Sequence, residues 1–343
     1  MSTKQLNKSV KSTGFYKKIL NYFSILIISL GSTFGAISAA NAAAITLNAT
    51  TAAGPGTMKT AGGDVAMAVD GTDTVDIVSF ATTLTLADDA ANQVFGAVTG
   101  TTGTLTLTTL EDSHASQQTV ASFVTTDGDL QITTAGDKDH TVIFTGDVST
   151  GAVTGTVIID GDGGDATATL VQVGGDLTGV ISLDDNAGGV TLEMTGTSKT
   201  IGQAINGVGA GEGTLKLSGA GATVSSAVGG TARLAAIDVD ATATFSGASE
   251  ATAYTVDADT TFTGAVTANT SFTVNTSAAV TLSAASDLSL ATMTTGTLTA
   301  DALLTTSDLI NTAGKVYLNV KENEMGAGRY AAASGAELHV GPA

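Results

Sequence analysis

The chain has 343 residues, with 42 glycines, two prolines, no cysteine and no tryptophan, and its 32 acidic against 13 basic residues give a formal charge of −19. Such an excess of negative charge repels phosphates, so nucleic acid and anionic membrane surfaces are poor partners, whereas divalent cations are favoured. With aromatic residues at 4% and no disulfide possible, stability has to come from backbone pairing and from packing of small and aliphatic side chains.

Residues 1–42 read as a secretory signal peptide. Lys4, Lys8, Lys11, Lys17 and Lys18 form a basic front, Ile19 to Leu30 is an apolar run, and Ala40-Asn41-Ala42 supplies a cleavage site. The run is short for a membrane span and is interrupted by Asn21, Ser24 and Ser29. Cleavage after Ala42 removes five lysines and leaves 8 basic against 32 acidic residues, a charge of −24.

Residues 43–120 carry a strand-and-turn pattern irregularly and read as an N-terminal cap with the first coils, a cap being needed to shield an open strand edge. Residues 121–310 carry it most regularly, as in "GDLQITT" (128–134), "HTVIFTG" (140–146), "GTVIIDG" (155–161), "GTLKLSG" (213–219), "TTFTGAV" (260–266) and "AVTLSAA" (279–285). Apolar and polar residues alternate within each unit, as in Leu215-Lys216-Leu217, which is the period of a strand with one buried face. Clusters such as Gly-Asp, Asp-Asn and Gly-Gly between the units supply turns.

Strands spaced in this way suit a sandwich or barrel as well as a solenoid. The likeness of successive units and the small area that each one buries favour an all-β, right-handed parallel β-solenoid whose coils stack like side chains in columns. At roughly 20 residues per coil, the mature chain is expected to make about 15 coils, on the order of 70 Å long. Residues 311–343 change character, holding Lys315, Lys321 and Arg329, and read as a terminal strand with a different tail or as the start of a truncated element.

The stretch "GAGEGTLKLSGAGATV" (209–224) resembles the glycine-threonine-leucine repeat of bacterial autotransporter passenger domains, through Gly211, Gly213, Thr214, Leu215, Leu217, Ser218 and Gly219. Looser copies lie at 242–264 and 294–301, and the general character is similar to that of rickettsial-type surface antigens. The resemblance implies a β-helical passenger displayed on the outer membrane and exported through a C-terminal membrane barrel. Nothing after residue 311 has the strand length or aromatic girdles of such a barrel, so the chain is either a fragment or reaches the surface by another route.

Few motifs carry chemistry. In "VIIDGDGGDATATL" (157–170), Asp160, Asp162 and Asp165 crowd carboxylates into a glycine turn, which is a candidate Ca²⁺ site or a plain solvated turn. Gly161, Gly163 and Ala166 match a dinucleotide fingerprint in form only, because a strand rather than a helix follows. Asp238/Asp240 and Asp257/Asp259 are D-x-D pairs, read either as paired acids of a glycosidase or as a solvent-facing edge. His114, His140 and His339 are isolated, which argues against zinc, and the scarcity of basic residues ill suits an enzyme acting on acidic polysaccharide.

The sequence therefore predicts a non-enzymatic, exported, surface-displayed solenoid acting as adhesin, coat or structural spacer. Its expected partners are a host or neighbouring-cell surface, or further copies of itself in a layer. The alternative is a self-assembling surface layer bridged by Ca²⁺, and a solenoid polysaccharide hydrolase or lyase using the D-x-D pairs ranks behind both.

Overall fold

The structure is a computed structural model of the chain. It describes strands at 45–48, 65–67, 75–80 and 84–88 and most residues from 92 to 341, with gaps at 101–102, 110–115, 135–138, 152–154, 162–168, 186–188, 321–323 and 326–329. The signal-peptide reading of residues 1–42 and His114, Asp162, Asp165 and Arg329 lie outside the described residues.

Each alternating unit forms a strand, and each strand pairs in parallel with the one a full coil further along, so the chain is a parallel β-solenoid. Among the described residues there is no helix. Three ladders run along the axis. The first passes through Leu105, Leu130, Val157, Ile181, Ile205, Val228, Ser249 and Val266. The second passes through Val142, Val171, Leu192, Leu215, Ile237, Tyr254, Phe272 and Ala291. The third passes through Leu177, Ile201, Val224, Phe245, Phe262, Leu282, Ala300 and Leu318.

These columns are the interior. Nearly every residue in them is fully buried, and the intervening residues of each strand point outward, as the burial alternation of Thr214–Leu217 illustrates. Stacking like on like lets each coil seal the apolar face of its neighbour, which a single coil cannot do alone. Where the coils are tightest, four aromatic rings fill the bore: Phe245 stacks on Phe262 at 4.7 Å, and Tyr254 and Phe272 pack against them at 6.2 and 6.1 Å from Phe262.

The solenoid makes fewer turns than the fifteen expected from a uniform coil. The reason lies at the corners. Along the first ladder, from Leu105 to Val228, successive steps are 25, 27, 24, 24 and 23 residues, because loops such as 208–213 interrupt the corner before the second ladder. From Ser249 onward a single strand bends through that corner at a register shift, and the step from Ser249 to Val266 is 17 residues.

Glycines bracket the repeated unit for two different reasons. Gly213 enters its strand at φ +71°, a left-handed conformation that a side chain resists, and a Cβ there would run into Leu183. Gly219 leaves the strand where the coils touch, and a Cβ would overlap the carbonyl of Gly196 one coil away.

Candidate functional site

With the interior filled by apolar columns, function falls to the outward residues, which stack in columns of their own. Three of these matter.

On the second ladder the outward column runs Gln172, Glu193, Lys216, Asp238, one residue per coil. Glu193 accepts hydrogen bonds from Gln172 Nε2 at 2.7 Å and from the Ser218 hydroxyl at 2.6 Å, so both of its oxygens are engaged. Lys216 lies 2.8 Å from Asp240 Oδ2 and 3.8 Å from Asp238 Oδ2. Its hydrogen bond to Asp240 raises the ammonium pKa above the ordinary value despite partial burial. Asp238 is pushed above the carboxylate range by burial first and by the Asp240 charge second, with Lys216 opposing.

The carboxylates of Asp238 and Asp240 therefore converge on a lysine and that of Asp259 on the backbone, whereas Asp257 Oδ1 is buried without a hydrogen bond. Asp259 Oδ1 accepts the Ala279 N–H of the next coil at 2.8 Å, and the Asp257 carbonyl accepts the Thr276 hydroxyl at 2.8 Å. Asp238 and Asp240 share one cation, and in that arrangement they tie coils together.

Asp160, the described member of the expected calcium turn, projects outward in register with Thr133 on one side and Asp184 on the other. The neighbouring Asp184 was not apparent from spacing, because it lies 24 residues away and meets Asp160 only through coil stacking. Among the described residues no group of three or more His, Asp or Glu side chains converges as a metal site.

The third ladder carries the most regular surface. Thr200, Thr223, Thr244, Thr261, Thr281 and Thr299 follow one another in register over six successive coils, and Tyr317 and His339 continue the column. The last two rings are stacked at 4.6 Å and 15°. A second column of exposed hydroxyls, Ser225, Ser246, Thr263 and Ser283, runs beside the threonines at the strand ends. Glu337 at this end is held below its ordinary range by its hydrogen bond to His339 and by Lys315 at 3.3 Å.

The sequence leads one to expect leucine and valine columns along the axis and threonine and asparagine columns outside, but it does not show which threonines stack. The signal of this face was a recurrent Thr-apolar-Ser/Thr triplet, seen in "TVS" (223–225), "TFS" (244–246), "TFT" (261–263) and "TLS" (281–283), which becomes a column only once the coil lengths are known. The fold and these outward columns define a member of the parallel β-solenoid class. No family model, curated protein or solved structure matches the chain.

Proposed function

We propose that this chain is an exported, surface-displayed β-solenoid that acts as an adhesin, coat or structural spacer of a bacterial cell envelope, in the manner of the autotransporter passengers its repeat resembles. The observation that supports the reading is the continuous outward face of the third ladder, where six threonines repeat coil after coil on an otherwise strongly acidic chain. A rod of stacked coils offers long flat surfaces rather than one cleft, which suits contact with an extended partner.

The test is fractionation of the source cells with and without a chelator, followed by the intact mass of the native species. Recovery of the solenoid on the outer face of the envelope, indifferent to chelation, is the expected result. A species found only inside the cell overturns the reading, and release by chelator alone replaces it with a calcium-bridged layer.

A further inference from the structure

The interior holds one residue unlike its neighbours. His140 opens strand His140–Phe144 of the second ladder and points inward with no exposure, in the column that continues through Thr169 to Val190. Its Nε2 meets Gln118 Oε1 at 3.1 Å, and the Thr133 backbone carbonyl is the other polar group beside the ring. The hydroxyls of Thr134 and Thr169 bond to each other one coil on. Gln118, Thr134 and Thr169 are themselves buried, so among the described residues these side chains form a polar cluster within an apolar bore.

Among the described residues, nothing charged faces the ring. Strand Ser116–Thr125 and strand Thr169–Val173 contain no ionisable residue. Asp129 and Asp160 sit on the outward side of their strands, and Asp139, next in the chain, is exposed. Burial drives the imidazole down to about 4, and the Thr133 carbonyl offsets part of that effect. Among the described residues, every other buried polar side chain is a hydroxyl or an amide, so His140 is the one interior group that gains charge as the pH falls.

We propose that the coils around His140, residues 116–173, form an acid-sensitive seam: protonating a buried imidazole without a counter-charge opens these coils, while those from Ser249 to Leu318 stay closed. A solenoid permits this separation, because each coil is coupled only to its neighbours and stretches of it open independently.

Hydrogen exchange followed by mass spectrometry tests the idea, with each rate referred to the intrinsic rate at its own pH. Between pH 7 and pH 4.5, protection across 116–173 is expected to fall roughly 60-fold relative to 249–318. His140→Gln, which cannot take up the proton, is expected to abolish most of that difference. An equal loss in His140→Gln, or no loss in the parent chain, overturns the seam. Should His140→Gln fail to fold, the ring signals of His140 in the parent chain decide by NMR: a neutral ring persisting below pH 5 until the coils open supports the seam, and titration near 6.5 with the coils closed overturns it.

Discussion

Asn311 and Gly314 clasp one another through both ends of a single carboxamide: the Gly314 N–H donates to Asn311 Oδ1 at 2.8 Å, and Asn311 Nδ2 donates to the Gly314 carbonyl at 3.0 Å. The same Nδ2 reaches the Glu337 carbonyl at 3.1 Å and the Tyr330 hydroxyl at 3.4 Å. Asn311 occupies an interior column where the preceding coils place Met293 and Val274, so this amide staples the last coil to the one beneath it.

Replacing that amide with an apolar group is therefore costly. Asn311→Ala removes the partners of several buried backbone groups and should destabilise the C-terminal coils by about 2–4 kcal/mol. Limited proteolysis should show cleavage beyond residue 311 well before the coils at 214–256 are attacked. Equal resistance in parent and variant would contradict the staple.

The aromatic bore makes a second prediction. Phe262 touches Phe245, Tyr254 and Phe272, and Phe262→Ala should cost about 3–5 kcal/mol. Because coupling is between neighbours only, a urea titration should split into two transitions, with the strands flanking residue 262 melting first. A single shifted transition would mean that the whole solenoid behaves as one unit.

Charge in the outward column should be asymmetric. Asp240→Asn removes the 2.8 Å partner of Lys216 and should lose up to about 1 kcal/mol, the discount for partial exposure being large. Asp238→Asn should be neutral or slightly stabilising at pH 7. Asp238 is held above its ordinary range, so the folded chain binds a proton there before the unfolded chain does. Its effect on stability is most favourable at low pH and is lost as the pH rises through the folded value. The stability difference between Asp238→Asn and the parent, measured by urea midpoint from pH 3 to 7, should therefore shift toward the variant as the pH rises.

Two glycines separate steric need from habit. Gly219→Ala forces a Cβ into the Gly196 carbonyl and should cost about 1–3 kcal/mol. At Gly202 the nearest atoms to a Cβ are 3.8 Å away and φ is unexceptional, so Gly202→Ala should be neutral or stabilise by about 0.4–1 kcal/mol. Thermal melts of the two variants compare them directly.

How much of this could be read from the chain itself depends on distance along it. The alternation Leu215-Lys216-Leu217 is local and identified its strand directly. The two-residue strand Thr200–Ile201 is too short to show a period and is defined only by the coils above and below it. Coil length was the weak point: a 27-residue step from Leu130 to Val157 and a 17-residue step from Phe245 to Phe262 differ by their corner segments, which have no periodic signature. The error in coil length concealed which threonines share a column and the pairing of Asp160 with Asp184, while leaving the solenoid itself legible.

The uneven coils also give the molecule a graded mechanical response. Hydrogen bonds between coils lie along the axis, so tension applied at the two ends parts them successively rather than together. A 17-residue coil frees roughly 60 Å of extended chain and a 27-residue coil roughly 90 Å. Pulled from its ends, the solenoid would lengthen in steps of unequal size, shedding tension one coil at a time, as a tether does that yields before it breaks.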